Sequence, residues 1–419
     1  MTNIHKHNPR RKLTSIQESS KISQENKEDL KDFYKAMKKS KKGKARMERY
    51  LVSAKKVFEY KENDFRLKEA TELQIDKIAE QIDNSAYYHK EYSPETKKEY
   101  RKFLRLYMKW AEFNSVDKNT DVPEKVRSVK TSVSEDVKDR TAPSDLPSVD
   151  EIKLLCQNLS LRLRALYFTQ WDLGSRINEV LRCRIEDYKK EDGKAYIYLR
   201  VNPEDSVEGS KSSRRRCRVK IAPPVIDRWI EEEHPNPEDE AYLFCRKNKI
   251  PGKNPKAHAY RPVNYPFFNR KIQEVSEELG IEADVRTHTV RKSRISFLKS
   301  VLKMPESDVD KRIGHIPGSE VTRDYTRLDD ADSNNAYGEA YGEENPEDKE
   351  VEDLVPLTCK DCKTTNAGYR DRCYECQGLL GVKEFKQAKE QISEARELLW
   401  QTLEEKGITE EIEEAVKKG

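Results

Sequence analysis

Apolar residues recur at spacings of three and four along much of this chain, and this helical periodicity constrains its fold more than any other feature. A polar stretch with three prolines, residues 115–147, separates two such regions. Ser148 and Glu151 then form a capping-box pattern, which marks the start of a helix. We therefore predict a helical domain over residues 29–114, a linker over residues 115–147 and a second domain from Ser148. The periodic residues of the first domain include Met47, Leu51, Ala54, Phe58, Ile75, Ile78 and Ile82.

The second domain, predicted over residues 148–328, mixes helices with a β-hairpin. Residues 195–200 and 216–221 are predicted as its strands, and a polar connection that contains Gly209 joins them. The predicted fold class of the chain is therefore mainly α with a small β-hairpin or sheet. The helices of this domain are predicted near residues 149–171, 175–183, 224–233, 265–279, 288–302 and 320–328.

Charge is distributed unevenly along the chain, although the net charge is only +4. Residues 1–60 carry 17 Lys and Arg against 7 Asp and Glu, and residues 1–28 have few apolar side chains. We expect residues 1–28 to form a flexible basic arm that suits contact with phosphates. Residues 329–358 carry 11 acidic residues against one lysine, so we predict a solvated acidic linker there.

Two close pairs of cysteines follow the acidic stretch. Cys359 and Cys362 are separated by ten residues from Cys373 and Cys376. Four thiolates at this spacing can surround one Zn²⁺ tetrahedrally, so residues 359–381 are predicted to be a zinc-ribbon-like module with a structural metal. Redox-active pairs or disulfides are the alternatives. Basic residues in the module leave DNA contact open, and docking against a neighbouring subunit fits the sequence equally well.

Residues 382–419 are predicted to be a helical tail. Within it, residues 382–403 have a coiled-coil-like seam. We favour packing of this helix on the same chain over a zipper between two chains. No run of about 18 apolar residues occurs, and the N-terminus lacks the core of a signal peptide. We therefore expect a cytoplasmic protein with no membrane association.

Separated fragments of the second domain carry cationic side chains. Arg176 follows a glycine-containing turn. Glu179 lies where it could form an ion pair with Arg176 or hold the guanidinium group of Arg176 in place. Lys211 lies in the hairpin connection, where a mobile ammonium can donate a proton. The basic residues expected to contact DNA phosphates are Arg214, Arg215, Arg216, Arg218 and Lys292.

Two further fragments add histidines and a tyrosine. His288 and Arg291 are three residues apart and share one face of a predicted helix, so both can donate to one anion. His315 follows a glycine, and Tyr325 lies ten residues later. Any of these fragments alone could be structural. Together they offer a cationic clamp for an anion and a nucleophile.

In order and spacing these fragments resemble the tyrosine recombinase or phage integrase family. The family pattern is a Gly-x-Arg-x-x-Glu box, a hairpin lysine, His-x-x-Arg, Gly-His and a final tyrosine. The distance from the first arginine to Lys211 exceeds the usual family spacing, so Lys194 and Lys220 stay open as alternatives. The matching positions here are Arg176, Lys211, His288, Arg291, His315 and Tyr325.

The resemblance implies that DNA strands are cut and rejoined through a 3′-phosphotyrosine at Tyr325. The two arginines and His315 would hold the phosphate oxygens. His288 would help to deprotonate the tyrosine, and Lys211 would protonate the departing 5′ oxygen. The resemblance also implies that catalysis uses neither ATP nor a metal.

The resemblance further implies double-stranded DNA as the partner and a homotetramer that holds two duplexes. The first domain would be a helical core-binding domain, and the protein would act near the nucleoid on a mobile genetic element. The cysteine module resembles appendages of some archaeal recombinases. Two alternatives remain open: a type IB topoisomerase-like enzyme, and a non-catalytic DNA-binding regulator with the same fold.

Overall fold

The computed structural model describes residues 7–87, 91–131, 145–200, 214–249, 260–315, 354–380, 398 and 402. The chain divides into two compact units, of which the first ends at Arg140. The described residues are mostly helical and include two small antiparallel sheets, which confirms the predicted fold class. Among these residues, no helix combines the length and apolar character that crossing a membrane requires.

The secondary-structure elements described in the N-terminal unit are all helices. Phe33, Phe103, Tyr107 and Trp110 form an aromatic cluster at its core, with 5.3 Å between the ring centroids of Phe33 and Tyr107. The periodic residues named above are all buried here, whereas Tyr100 and Ala111 of the same pattern are only partly buried. The α-helices of this unit are α1 (Pro9–Gln17), α2 (Gln24–Lys39), α3 (Lys44–Glu59), α4 (Glu72–Asp83) and α5 (Pro94–Phe113).

The predicted flexible arm over residues 1–28 is wrong for much of its length. α1 and the first residues of α2 lie within it. Ile16 is fully buried and Ile22 is 4% exposed, and both belong to the core of the unit. A few apolar side chains therefore anchor a segment whose average composition is typical of disorder.

The helical unit also extends past Asn114, where the sequence placed its end. Val116, Val126 and Val129 are buried against the same core, and a 3₁₀ helix spans Glu124–Val126. The first part of the predicted linker is therefore packed onto the helices.

The C-terminal unit is built around α7, which is buried without interruption from Ala165 to Leu173. α6 and α7 replace the single helix predicted over residues 149–171, because Leu159 and Ser160 have extended backbone conformations. The α-helices of this unit are α6 (Val149–Asn158), α7 (Leu161–Leu173), α8 (Ile177–Val180), α9 (Pro223–Arg228), α10 (Tyr265–Glu278), α11 (Thr287–Ser300) and α12 (Glu306–Ile313).

Most of the other helix predictions agree with the structure. A π-helical segment, Trp229–Glu233, continues α9 and completes the helix predicted near residues 224–233. α12 was not predicted. The helix predicted over residues 320–328 lies outside the described residues, as does the predicted tail helix except for Leu398 and Thr402.

The predicted hairpin is part of a three-stranded antiparallel sheet in the order β1-β2-β3. Its strands are β1 (Tyr188–Glu191), β2 (Lys194–Leu199) and β3 (Arg215–Val219). Asp192 and Gly193 connect β1 to β2 with positive φ angles of 49° and 70°, the conformation of a tight hairpin turn. At the other end of the sheet Leu199 pairs with Arg215, so the predicted lysine hairpin leaves the sheet there.

Candidate active site and metal centre

Arg176 lies in the turn between α7 and α8. α7 ends at Gly174, whose φ of +60° suits glycine and reverses the chain sharply. The backbone N–H of Arg176 donates to Oε2 of Glu179 at 2.9 Å. Gln170 in α7 donates from Nε2 to the carbonyl of Thr287 at 2.7 Å, which fixes the start of α11 beside this turn.

Arg291 on α11 links two of the predicted motifs. Its guanidinium is buried, with 1% of the residue exposed, and Nη1 donates to the carbonyls of Gly174 (2.8 Å) and Ile313 (3.2 Å). Nη2 lies 2.8 Å from Nε2 of His315. Arg291 therefore contacts both the turn that carries Arg176 and the turn that carries His315.

His315 follows α12, which ends at Gly314 with a φ of +75°. The backbone N–H of His315 donates to the carbonyl of Asp310 at 2.9 Å. A guanidinium only donates, so Nε2 of His315 accepts from Arg291 and the ring proton of the neutral form is on Nδ1. Nδ1 lies 3.9 Å from Oδ1 of Asp310, a buried carboxylate that favours this tautomer.

His288 lies one turn before Arg291 on α11 and is exposed. Partial desolvation by the surrounding protein, with the positive charges of Lys292, Arg291 and Arg176, lowers the pKa of His288 below its usual value. The charges of both arginines therefore act on His288. A lowered pKa keeps the ring neutral near pH 7, which is the form that can accept a proton.

Two of the predicted catalytic residues, Lys211 and Tyr325, lie outside the described residues. The strands nevertheless discriminate among the candidate lysines. Lys194 begins β2, five residues and roughly 17 Å from Leu199, at the end of the sheet farthest from Arg215. Lys220 follows β3 at that same far end. The connection that contains Lys211 begins and ends at the site end of the sheet.

Glu179 pairs with Arg215 and also accepts a hydrogen bond from the backbone N–H of Arg176. The carboxylate accepts from Nη1 of Arg215 at 2.9 Å and from Nη2 at 3.0 Å. Both side chains are nearly buried, with 6% of Arg215 and 4% of Glu179 exposed. Arg215 is therefore not placed as a solvent-facing phosphate contact, unlike the neighbours with which the sequence grouped it.

Those neighbours lie on the outer surface of the sheet. Arg214, Arg216 and Arg218 are exposed, whereas Lys292 on α11 is half-buried. Arg216 stacks its guanidinium 3.7 Å from the ring centroid of Tyr196 and also pairs with Glu191. Cationic and aromatic side chains thus alternate on this face, an arrangement that suits nucleic acid.

Asp172, near the end of α7, has a role that no sequence motif indicates. Its Oδ2 accepts from the backbone N–H groups of Lys220, Ile221 and Ala222 at 2.8, 2.6 and 3.0 Å. Arg312 donates from Nη2 to the Asp172 carbonyl at 2.7 Å. Asp172 therefore fixes the end of β3 and the start of α9 against α7. An isolated aspartate inside an apolar helix carries no sequence pattern that would predict this.

The comparisons with known proteins agree with this geometry. The sequence of residues 148–332 matches the model of the phage integrase family. These residues belong to the phage integrase family. The chain is accordingly a tyrosine recombinase, an enzyme that breaks and rejoins DNA strands. No curated protein sequence matches the chain.

Solved structures of integrases and recombinases share the fold. XerH site-specific recombinase bound to palindromic difH substrate is 20% identical, with a TM-score of 0.52, over 81% of this chain and 95% of that one. A lambda integrase tetramer bound to a Holliday junction is 13% identical, with a TM-score of 0.51, over 77% and 82%. The Tn1549 transposon integrase with transposon right end DNA is 13% identical, with a TM-score of 0.50, over 75% and 99%. At these identities the likeness shows the fold.

The four paired cysteines of this recombinase converge, as predicted. Their Sγ atoms all lie within 4.8 Å of one another, and the closest pairs, Cys359–Cys376 and Cys362–Cys373, are 3.5 Å apart. Sulfur ligands around a tetrahedral zinc are separated by about 3.8 Å, so the cluster fits one Zn²⁺. Strands β4 (Leu357–Thr358) and β5 (Thr365–Asn366) pair beside it.

The environment of Cys373 favours a thiolate. Burial alone would raise its pKa, but the backbone N–H groups of Cys376 and Glu375 and the Asn366 amide lower the pKa of Cys373 to about 6. Metals bind the thiolate form of cysteine. The donor set therefore fits a zinc ion chemically as well as geometrically.

The cysteine module docks on the integrase domain of its own chain. Tyr369, which is 2% exposed, packs edge-on against Phe168 with ring centroids 5.5 Å apart. Arg164 lies over the Tyr369 ring and donates to its hydroxyl at 3.0 Å. Lys153 and Gln157 on α6 bind Asp371 at 2.8 and 3.1 Å. The module therefore contacts α6 and α7, the second of which leads into Arg176.

A basic cleft of about 570 Å³ lies between the sheet, α9 and the cysteine module. Lys194, Arg218 and Lys220 line it from the sheet side, and Pro356 and Thr364 line it from the module side. In the described part of the chain, none of these three cations has a carboxylate within ion-pair distance. The cleft therefore carries a local positive charge.

Proposed function

We propose that this recombinase breaks DNA by attack of the Tyr325 oxygen on a phosphate held by Arg176 and Arg291. The contacts of Arg291 give the strongest support, because one guanidinium bonds to the Gly174 carbonyl beside Arg176 and to the ring of His315. Two guanidinium groups can stabilise the negative charge that builds on the non-bridging oxygens during attack, and His315 would orient one of them by accepting from Arg291.

The chemistry then follows from the charges. The bond between the Tyr325 oxygen and phosphorus forms as the bond to the 5′ oxygen breaks, and neutral His288 accepts the phenol proton. Lys211 gives a proton to the departing 5′ oxygen. Attack by the 5′ hydroxyl of another strand reverses these steps and rejoins the DNA. Because the arginines supply the positive charge, this route requires no metal at the phosphate and no ATP.

The decisive experiment traps the covalent intermediate. A substrate with a nick next to the scissile phosphate, made from DNA that flanks the gene, releases a short 5′-hydroxyl fragment and so prevents rejoining. The recombinase should accumulate as a covalent DNA complex, and Tyr325→Phe should not. Tyr337→Phe and Tyr341→Phe are matched controls from the same stretch of sequence, and both should trap normally. Trapping by Tyr325→Phe would eliminate this nucleophile.

The lysine assignment has its own test. Lys211→Ala should cleave an ordinary substrate roughly 100-fold more slowly, because general-acid catalysis contributes at least that factor. Sulfur in place of the 5′ bridging oxygen leaves without a proton, so this substrate should restore the rate. At saturating DNA, Lys194→Ala and Lys220→Ala should cleave both substrates at the normal rate. A sulfur rescue confined to either of those variants would reassign the general acid.

We further propose that the substrate is duplex DNA from a mobile genetic element, held as two duplexes by a homotetramer in the cytoplasm near the nucleoid. The outer sheet face with Arg214, Arg216 and Arg218, and the basic cleft beside it, suit phosphate backbones. Exchange of strands between two labelled duplexes would support recombination. Relaxation of supercoiled DNA by a monomer, without exchange, would favour the topoisomerase alternative. DNA binding without any cleavage would favour a regulator.

We also propose that the four cysteines hold a structural Zn²⁺ and that the module braces α6 and α7 of its own integrase domain. The docking of Tyr369 and Asp371 supports a brace within the chain over contact with a neighbouring subunit. Metal analysis should find one zinc per chain, and Cys373→Ser should abolish its binding.

A further inference from the structure

We propose that Arg215 is a positioning residue for the active site and does not contact DNA. It joins β3 to the turn of Arg176 and to the turn of His315, and thereby sets where the lysine hairpin meets the phosphate clamp. This inference rests on the proposed function. The exposed arginines on either side of Arg215 would bind phosphates, whereas Arg215 would act on catalysis through other residues.

Arg215, at the start of β3, forms hydrogen bonds with two helices. Its two Nη atoms form the paired hydrogen bonds with Glu179 of α8. Its Nε donates to the carbonyl of Arg312 at 2.8 Å, in the last turn of α12. Glu179 in turn accepts from the backbone N–H of Arg176. One guanidinium therefore connects the strand after Lys211 with the segments that carry Arg176 and His315.

Gly314 lies directly against this guanidinium. A Cβ atom at position 314 would lie 2.4 Å from Nη1 and 2.8 Å from Cζ of Arg215. The glycine of the Gly-His pair therefore provides space for Arg215 in addition to its left-handed φ. The turn before His315 and the side chain of Arg215 occupy adjoining space, so movement of one displaces the other.

The ion pair is charged in the folded protein. Burial opposes both charges, but the paired hydrogen bonds outweigh it: the pKa of Glu179 is lowered and the pKa of Arg215 is raised. A buried fork-to-carboxylate pair fixes both distance and angle, which a lysine cannot reproduce. Such rigidity suits a residue that aligns catalytic groups.

The test separates DNA affinity from the rate of cleavage at saturating DNA. Arg215→Lys should cleave the nicked substrate about 100-fold more slowly, since a displacement of about 1 Å can have that effect, while its DNA affinity stays within about 3-fold of normal. Arg216→Gln and Arg218→Gln are matched controls from the same strand. They should weaken DNA binding and its salt dependence yet cleave at the normal rate when saturated.

A double variant guards against simple unfolding. Arg215→Met with Glu179→Gln leaves no unpaired buried charge, so it should remain folded in a thermal melt while cleaving as slowly as Arg215→Lys. Normal cleavage by this folded double variant would overturn the proposal. So would an Arg215→Lys protein that loses DNA affinity as the controls do but keeps its saturated rate. The affinity comparison stays informative even if the wild type traps no covalent complex, a result that would instead reject the proposed function.

Discussion

At the scale of single residues, the charge around His288 sets the pH at which the site can work. Desolvation and three neighbouring cations lower the pKa of this ring, and the carboxylate of Asp284 opposes them. A base must be unprotonated to accept a proton, so the lowered pKa extends activity toward acidic pH. In the proposed mechanism, the cations that would bind the phosphate would therefore also keep the adjacent base neutral.

Lys292→Ala should shift the acidic limb of the cleavage rate to higher pH. Removing a positive charge stabilises the protonated ring, so the pKa of His288 rises and the neutral fraction is lost earlier as pH falls. Single-turnover cleavage of the nicked substrate at saturating DNA, measured from pH 5 to pH 8, checks this. Lys311→Ala is the control, because Lys311 lies on α12 and is not among the main charges that shift the pKa of His288. An unmoved limb in Lys292→Ala would contradict the role of this charge.

The sequence motifs pointed to the cationic residues of the clamp, but they did not predict that Glu179 pairs with Arg215. Arg215 lies in a run of basic residues that all look alike in sequence. The alternation of β3 separates them, because Cys217 and Val219 face inward and Arg215 shares their face. The strand predicted from the sequence begins at residue 216, whereas β3 begins at Arg215, so the prediction left Arg215 out of the alternation. A buried ion pair also violates the usual expectation that arginine lies at the surface.

At the scale of secondary structure elements, Asp172 determines how the sheet meets the helices. Its carboxylate caps three consecutive backbone N–H groups where β3 ends and α9 begins, and the residue is 1% exposed. Buried N–H groups are costly to leave without acceptors. The orientation of β3, and with it the site end of the sheet, therefore depends on one side chain in α7.

Asp172→Ala should lower the free energy of unfolding of the recombinase by about 3 to 5 kcal/mol, because three buried donors lose their acceptor together. Urea denaturation at neutral pH measures this as a lower midpoint. Glu232→Gln breaks an exposed pair with Arg228 in the neighbouring helical turn, and it should change stability by less than about 1 kcal/mol. Equal effects of the two substitutions would contradict the capping role.

The elements that sequence reasoning missed are short and polar. β1 reads Tyr-Lys-Lys-Glu and has three exposed residues, so it shows no apolar alternation, although the Asp-Gly turn after it is a hairpin signal. α1 rests on few buried side chains within a basic segment. Long amphipathic helices such as α5 and α10 were predicted because their apolar residues repeat at helical spacing on the side that packs against the core. Tertiary packing decided the shorter elements.

At the scale of the whole molecule, the cysteine module is an integral part of the C-terminal unit. Tyr369 fills a site formed by Phe168 and Arg164 on α7, and Asp371 is bound by α6. The four thiolates would supply the folding energy that a segment of this length cannot obtain from a core of its own. Metal binding would thereby be coupled to the stability of the helix that leads to Arg176.

Tyr369→Ala should keep its zinc but lower the melting temperature of the integrase unit by roughly 6 to 12 °C, since losing a buried ring costs about 3 kcal/mol. Cys373→Ser should lose the metal and melt at least as early. Differential scanning calorimetry with zinc analysis checks both variants. Lys360→Ala, an exposed change in the module, should alter neither quantity. A normal melting temperature for metal-free Cys373→Ser would separate the module from the stability of the unit.

The partners of Arg291 have a consequence for how relatives of this enzyme can diverge. Its Nη1 bonds to the main-chain oxygens of residues 174 and 313, which every amino acid possesses. Mutations that alter the side chain at position 313 therefore preserve this anchorage as long as the backbone path is kept. The surrounding residues can therefore be substituted while Arg291 keeps its position. Distant homologues can retain this arginine and its contacts after most of the residues around it have changed.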